Sequence, residues 1–364
     1  MADHDLHLFI NDDEILARKN LHRMVHTLRR ESVAPVIAPD GEDEGSTIHG
    51  TSVVQDPETG KLKMWYAPTA TRQLCLAVSD DGMQWTRHGR ACDPELNFVV
   101  DNVWSAAPVG PDVDPWFAGA KLVGTACVAA GLGGDNPVGI YALRSMDGEH
   151  WEVKLPCILP GRGDRSGLYF DGATGEYLFT TRAYYGYSPG FTPVKGEEVI
   201  KHRIIRLYRS RNLIDWQDFG IVFRFDDNDP PDAQIYGLQP FRCGAGFLAF
   251  VEVHHQDIER LDTQLAWSSD GVRWQRVGQR EAVLPLGGEG SWDSHWVQVI
   301  PTRQFQTGTG SVFSIPAQTP NTPPAYTPGE PSEWPRWAGT GGSVWRLARS
   351  RGKWLPVRSR SPDR

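Results

Sequence analysis

The chain has 364 residues, ordinary globular proportions of hydrophobic (40%) and charged (23%) residues, and a net charge of −8. The acidic balance argues against a nucleic-acid partner, because phosphate binding needs a basic face. No apolar run is long enough to span a bilayer and no secretory signal is visible, so we expect no membrane association. The five cysteines lack a C-x-x-C spacing. We therefore expect reduced thiols and a cytoplasmic protein.

Residues 1–43 are predicted to form a closing strand and an extended wrap. The apolar run 6–10 predicts one short strand, and the charged segment 17–30 predicts either a short helix or an extended stretch. We expect the strand to pair with the last unit of the remaining chain, residues 44–364. Such pairing would cover an exposed sheet edge.

One short pattern occurs four times beyond residue 44. A tryptophan follows a serine by six residues, and Asp-Gly stands between them in three copies: 79–85, 145–151, 210–216 and 268–274. Recurrence at intervals of roughly 60 residues indicates an array of like units. Asp-Gly between two apolar runs is a strong hairpin signal. Each copy therefore predicts a strand, a tight turn, and a second strand anchored by a buried tryptophan.

Two further strand-like runs precede the pattern in each unit, which gives four antiparallel strands, A to D. Four-stranded units arranged around a channel are the blades of a β-propeller. A degenerate fifth copy at 350–354 predicts an all-β, five-bladed β-propeller. The segment 304–337 is rich in Thr, Pro and Gly and lacks alternation. It is either a long loop of the last blade or the product of a reading-frame error.

Propeller geometry restricts where a site can form. The A strands line the channel, and the D-to-A and B-to-C connections share one face. Each unit carries a carboxylate just before or at strand A, and the B-to-C positions add further polar groups. An aspartate before a strand is commonly a turn residue that bonds its own backbone, so each one has a structural interpretation as well. The predicted site combines both sets: His49, Trp104, Asp164, Arg182, Asp232, Tyr236, Glu252, His255, Asp293 and His295.

Carboxylates, histidines, an arginine and aromatic rings at one mouth favour a sugar site. Glycosidic cleavage needs two carboxyl groups, one of them a proton donor. We assign Asp164 and Asp293 as base or nucleophile and transition-state stabiliser. Glu252 is the predicted general acid, because its apolar neighbours should favour the protonated form. The remaining residues are predicted to bind substrate, with Arg182 near an acidic sugar.

No cofactor is predicted. An alternative is a divalent cation near His49, His255 and His295, because imidazole nitrogens are common metal ligands.

The blade pattern, with Ser-x-Asp-Gly-x-x-Trp between strands C and D, resembles the five-bladed glycoside hydrolases of the arabinanase and β-fructosidase superfamily, families 43 and 32. A related turn occurs in sialidase-type propellers. The resemblance implies the fold and carbohydrate chemistry. The fructosidase-like signatures Trp-Met-Asn-Asp-Pro-Asn-Gly, Arg-Asp-Pro and Glu-Cys are absent, so it fixes no catalytic residue. The chain resembles a distant branch of this superfamily.

Three functions remain open from the sequence. The first is a glycoside hydrolase acting on short oligosaccharides. The second is a lyase that cleaves uronate sugars by β-elimination, with a histidine or Tyr236 as base and Arg182 neutralising the carboxylate. The third is a propeller that binds carbohydrate without catalysis. The sequence leaves the sugar, the linkage and the oligomeric state undetermined.

Overall fold

The computed structural model describes residue 10, residues 15–17, 19–20, 23–30, 32, 34–40, 44, 48–68, 70–71, 73–91, 100–128, 137–160, 165–184, 187–188, 192–193 and 203–299, and the backbone of 305–307, 310–318, 342–347, 349–350 and 353–354. Within these ranges, two short 3-10 helices, Pro115–Phe117 and Gln256–Ile258, accompany the strands. No helix in these ranges is long and apolar enough to cross a bilayer.

The strands are numbered in chain order. They are β1 Arg29–Arg30, β2 Ile48–Gln55, β3 Leu62–Pro68, β4 Cys75–Ser79, β5 Thr86–Arg90, β6 Val100–Pro108, β7 Leu122–Val128, β8 Gly139–Ser145, β9 Glu152–Val153, β10 Leu159–Pro160, β11 Ser166–Asp171, β12 Glu176–Tyr184, β13 Tyr187–Ser188, β14 Thr192–Pro193, β15 Arg203–Ser210, β16 Gln217–Phe223, β17 Ala233–Cys243, β18 Gly246–His255, β19 Arg260–Ser268, β20 Gln275–Arg276, β21 Trp296–Val297, β22 Phe305–Thr307, β23 Gly310–Gln318, β24 Gly342–Leu347, β25 Arg349–Ser350 and β26 Lys353–Trp354.

Four units of four antiparallel strands form an all-β propeller, as the repeated pattern predicts. The units are β2 to β5, β6 to β9, β11, β12, β15 and β16, and β17 to β20. In the second unit, β10 adds a fifth strand that also pairs with β8. The first strands of the units are neighbours in order: β2 lies against β6, β6 against β11, and β11 against β17. These strands are therefore the inner A strands of the propeller.

The fourth unit continues into a larger, nine-stranded sheet. The strand β21 makes one parallel pair with β19 and pairs antiparallel with β23, which pairs with β24. The N-terminal strand β1 pairs with β24 at Arg30 and Trp345. Of the predicted closing strand, 6–10, only residue 10 lies within the described ranges, so that prediction stays untested.

The repeated turn has one geometry in all four units. The serine Oγ accepts the N–H of the residue three positions later, at 2.8 or 2.9 Å. The aspartate Oδ1 accepts two further N–H groups, for example those of Val272 and Arg273 at 2.8 Å from Asp270. In the third unit, Asn212 replaces the aspartate. Leu213 replaces the glycine there and keeps the left-handed backbone, with φ 67°.

The four repeat tryptophans differ in burial, whereas the sequence predicts that all four are buried. Trp151 is buried and meets Trp65 edge to face, with ring centroids 5.3 Å apart. Trp85, Trp216 and Trp274 are half-buried, and each donates its indole N–H to a carbonyl within its own turn. Complete burial was therefore a wrong prediction for these three, because each ring lies over its turn at the rim of a hydrophobic cluster.

Much of the hydrophobic core lies between neighbouring units. One cluster joins the first and second units, through residues that include Trp65, Leu143 and Trp151. Another joins the second and third, through Cys127, Phe179 and others. Propeller blades pack face to face, so this division of the core follows from the fold.

Candidate functional site

One edge of the propeller collects the polar side chains that end or begin its strands. In the fourth unit, Ala233 at the start of β17 pairs with His255 at the end of β18, which pairs with Arg260 at the start of β19. In the third unit, Ser166 pairs with Thr181 near the end of β12. The D-to-A and B-to-C connections of these units therefore lie on one edge of the propeller. The predicted site depends on this arrangement.

A compact group of six residues lies on this edge, where the third and fourth units meet. We call it the Tyr236 cluster: Arg182, Arg203, Tyr236, His254, Glu259 and Trp296. Tyr236 sits at a register shift between Ile235 and Gly237 in β17. A bulge of this kind re-aims the side chain of its extra residue. Gly237 is required next to it, because a Cβ there would collide with the Glu252 carboxylate.

Two arginines of the third unit approach the Tyr236 ring. The Arg182 guanidinium carbon lies 4.6 Å from the ring centroid, and that of Arg203 lies 5.6 Å away. Both distances are within cation–π range. The Trp296 ring completes the aromatic part, 5.1 Å from Tyr236 and near perpendicular to it.

His254 links the cationic and acidic members of the cluster. Its Nδ1 lies 3.5 Å from an Arg203 nitrogen, and its Nε2 lies 3.2 Å from Glu259 Oε2. Because arginine can only donate, Nδ1 accepts and Nε2 carries the proton directed at Glu259. Glu259 has a left-handed backbone, with φ 49°, and its carbonyl accepts the Trp296 indole N–H at 3.1 Å. Non-glycine residues in this conformation are uncommon and concentrate at functional sites.

Glu252 is placed differently from its predicted role. Its carboxylate is fully buried and accepts two hydrogen bonds from the Arg165 guanidinium, one of them at 2.7 Å from Nε. The Val299 N–H adds a third at 3.0 Å. Both oxygens of the Glu252 carboxylate therefore accept hydrogen bonds from protein donors. The structure thus gives Glu252 a structural role that joins three segments of the chain, and the general-acid role predicted for it stays a prediction.

Asp293 is also buried and ion-paired. Its Oδ2 contacts the Arg30 guanidinium, and its Oδ1 accepts the Ser291 hydroxyl at 2.9 Å. The pair connects the N-terminal segment to the loop before β21. The structure gives Asp293 a structural partner, and its catalytic role stays a prediction.

In the first unit, the carboxylate that precedes strand A is Glu44, and it also has protein partners. Glu44 accepts the Tyr66 hydroxyl at 3.0 Å and the Arg87 Nε at 3.1 Å. Burial raises the pKa of Tyr66, with the nearby Glu44 charge adding to the effect. Glu44 thus follows the structural interpretation of the recurring carboxylates.

Three other predicted residues lie on the same edge with partners of their own. Asp232 accepts the Asp257 N–H at 3.3 Å. His255 Nε2 lies 2.7 Å from Asp262, and this hydrogen bond raises the pKa of His255 against the opposing effect of burial. His295 Nδ1 lies 2.8 Å from the Ser294 hydroxyl.

The remaining predictions are described only in part. Asp164 lies outside the described residues, next to Arg165. His49 and Trp104 occupy the inner strands β2 and β6, but their side chains are outside the description. Within the described part of the chain, no group of three or more His, Cys, Asp or Glu side chains is arranged to hold a metal ion. A cation near His49, His255 and His295 stays an untested alternative.

The sequence did not single out Arg165, Arg203 or Trp296, and it favoured His255 over His254. The alternation of side-chain direction along β18 could have identified His254 instead of His255. Glu252 and His254 are two positions apart and so share one face of the strand, whereas His255 faces the other side. Arg165 and Arg203 carry no local signal, because their partners lie far away in sequence.

No protein-family model matches this chain, and no curated protein matches it in sequence. Solved structures match its fold. A thermostable family-43 glycoside hydrolase aligns with TM-score 0.55 at 13% identity over 87% of this chain and 96% of its own. An endo-arabinase from Bacteroides thetaiotaomicron aligns with TM-score 0.54 at 11% identity over 88% and 99%. The family-32 β-fructofuranosidase of Bombyx mori aligns with TM-score 0.50 at 13% identity over 84% and 61%.

These three structural neighbours are glycoside hydrolases, one of them of family 43 and one of family 32. At this level of identity the likeness establishes the fold.

Proposed function

We propose that the protein is a glycoside hydrolase that cleaves short oligosaccharides at the channel mouth. The observation that carries the proposal is the Tyr236 cluster, which combines aromatic walls, guanidinium donors and a carboxyl group on the connection edge of a propeller. Aromatic rings contact the apolar faces of sugars, and arginine and histidine bond their hydroxyls. The likeness to glycoside hydrolases supports the same reaction class.

The mechanism needs a proton donor and a second carboxylate. Because Glu252 is bound to Arg165, we propose Glu259 as the donor. Its side chain is 47% exposed and it is hydrogen-bonded to His254, so it is open to substrate while held in place. Asp164 and Asp293 remain the proposed base or nucleophile and stabiliser.

The substitution Glu259→Gln tests this mechanism. It should abolish turnover of natural glycosides while sparing aryl glycosides with activated leaving groups, which need no acid. The matched control is Glu152→Gln, which removes an exposed partner of Arg144 far along the chain and should leave both activities unchanged. Equal losses on both substrate types for Glu259→Gln would reject Glu259 as the acid. Saturable binding without turnover would favour a non-catalytic carbohydrate-binding propeller.

A second candidate is a β-elimination lyase acting on uronate sugars. Two observations favour this candidate. The ring centroids of Tyr236 and His254 lie 5.9 Å apart, and the Arg182 guanidinium lies over the Tyr236 ring. A lyase needs a base near the proton α to a carboxylate and a cation that neutralises that carboxylate. The product would carry an unsaturated uronate, so its ultraviolet absorbance separates elimination from hydrolysis.

We also propose that the ring contains five blades. The order β21, β23, β24 and β1 is antiparallel at every step, as one further four-stranded blade would be. Both β23 and β24 lie against β2 of the first unit, as ring closure requires. A crystal structure in which β21, β23, β24 and β1 form one blade next to the blade of β2 to β5 would agree with this proposal.

A further inference from the structure

We propose that the Tyr236 cluster binds the carboxylate of an acidic sugar, with Arg203 as the contact at the surface and Arg182 as the cation beneath it. This inference rests on the proposed carbohydrate function and names its substrate class. It starts from the placement of two guanidinium groups over one tyrosine ring. They come from neighbouring strands of the third unit, β12 and β15, while the ring comes from the fourth.

The two arginines differ in burial. Arg182 is 3% exposed, whereas Arg203 and Tyr236 are half-exposed. A ligand that arrives from solvent therefore meets Arg203 and the Tyr236 ring first. The buried guanidinium acts through a medium of lower dielectric constant, where its attraction for an anion is stronger than in water.

Guanidinium chemistry favours a planar anion. A guanidinium that contacts a ring through its face keeps its N–H donors at its edge, in a fork that matches carboxylate geometry. Arg203 also donates to Gln234 Oε1 at 2.6 Å, which fixes the direction of its head group. An anchored arginine loses less conformational freedom when a ligand binds.

The neighbouring side chains suit a sugar ring attached to that carboxylate. His254 and Trp296 have ring centroids 5.0 Å apart, and both are buried against the Tyr236 ring. The exposed aromatic surface of Tyr236 can contact the C–H face of a pyranose. Glu259, held by His254, lies beside the same ring, where it can hydrogen-bond an oxygen of the sugar.

The β-bulge gives the cluster a rigid base. Gly237, next to Tyr236, packs directly on the Arg165–Glu252 pair, so the ring position is set by buried charges. A site built on a fixed backbone holds its geometry before ligand arrives.

Isothermal titration of the full chain with free glucuronate and galacturonate, and with glucose and galactose, tests the inference. We expect both uronates to bind more tightly than their neutral counterparts, and rising salt to weaken only uronate binding. Arg203→Gln should weaken uronate binding about tenfold or more, because it removes a charge-assisted contact. Arg203→Lys should recover part of that loss. The matched control Arg206→Gln lies on the same strand, paired with Asp218, and should bind uronates like the wild type.

Arg203 is half-exposed, so its variants should fold, and circular dichroism verifies this. Equal affinity for uronates and neutral sugars, no saturable uronate binding at millimolar concentration, or unchanged binding by Arg203→Gln would each overturn the inference. These outcomes are distinct from a failure of the proposed function. Cleavage of neutral oligosaccharides without uronate preference would reject only the acidic sugar. Uronate binding without turnover of any glycoside would support the acidic sugar and reject the hydrolase.

Discussion

At the scale of single residues, Glu252 and Arg165 show how a buried charge pair can resemble a catalytic group in sequence. Both side chains are almost fully buried, so removal of one charge leaves the other without compensation. We expect Glu252→Gln to lower the free energy of unfolding by about 3–5 kcal/mol, measured by urea denaturation. The control Asp218→Asn breaks a partly exposed pair with Arg206 and should cost less than about 1 kcal/mol.

A different outcome would restore the original assignment of Glu252. If Glu252→Gln unfolds at the wild-type urea concentration, and natural glycosides alone lose turnover, then Glu252 is the proton donor. The kinetic comparison with activated substrates separates the two roles, since a structural residue affects both substrate types equally.

The pair of His255 and Asp262 makes stability depend on pH. The hydrogen bond to Asp262 raises the pKa of His255 above its usual 6.5. Its contribution to stability is therefore complete below pH 6.5 and is lost as the pH rises through the raised pKa. Urea unfolding across this range should show the wild type losing stability relative to Asp262→Asn as the pH increases. A constant difference between the two proteins would exclude the charged pair.

At the scale of elements, the repeated turn predicted the fold because its information is local. The serine, aspartate and glycine of each copy form hydrogen bonds with one another within four residues, as at 268–271. Each copy can therefore be recognised without knowledge of the rest of the chain. The four strands per unit and the shared connection edge followed from it. The end of the chain lacked such a signal. The sequence predicts a long loop or a reading-frame error over 304–337, whereas Phe305–Thr307 and Gly310–Gln318 form the paired strands β22 and β23.

The site was harder to predict because its contacts are distant in sequence. Arg165 and Glu252 are 87 positions apart, and Arg30 and Asp293 are 263 apart. Sequence alone showed carboxylates at equivalent positions but not the arginines that neutralise them. Local alternation would have identified His254. The convergence of Arg203 and Trp296 on Tyr236 required the packing of separate segments.

The repeat tryptophans should contribute unequally to stability. Trp151 is 2% exposed and packs against Trp65, so Trp151→Ala should cost about 3–5 kcal/mol of unfolding free energy. Trp85 is half-buried, and Trp85→Ala should cost about 1–2 kcal/mol, because less surface returns to water. Urea denaturation measures the unfolding free energy of both variants, and each variant serves as the control for the other. Equal losses would mean that exposure does not determine the contribution of this position.

At the scale of the whole molecule, successive units are held together by charge pairs as well as by the cores between their faces. Arg242 of the fourth unit binds Asp171 of the third, with its Nε at 2.6 Å from Oδ1. The Arg165–Glu252 pair lies at the same junction, on the site edge, and also binds Val299 beyond the fourth unit. These contacts make the position of the Tyr236 cluster depend on the assembled ring, since its members come from several units.

The N-terminal segment should stabilise the ring through Arg30. This residue pairs through β1 with β24 and neutralises Asp293, whose side chain is 1% exposed. We expect Arg30→Ala to lower the free energy of unfolding by about 2–3 kcal/mol, because a buried carboxylate loses its partner. Arg273→Ala, which removes an exposed arginine with a 4.0 Å contact to Asp270, should change it by less than about 0.5 kcal/mol. Urea denaturation measures both. If Arg30→Ala is as stable as Arg273→Ala, the Arg30–Asp293 pair does not hold the N-terminal segment to the loop before β21.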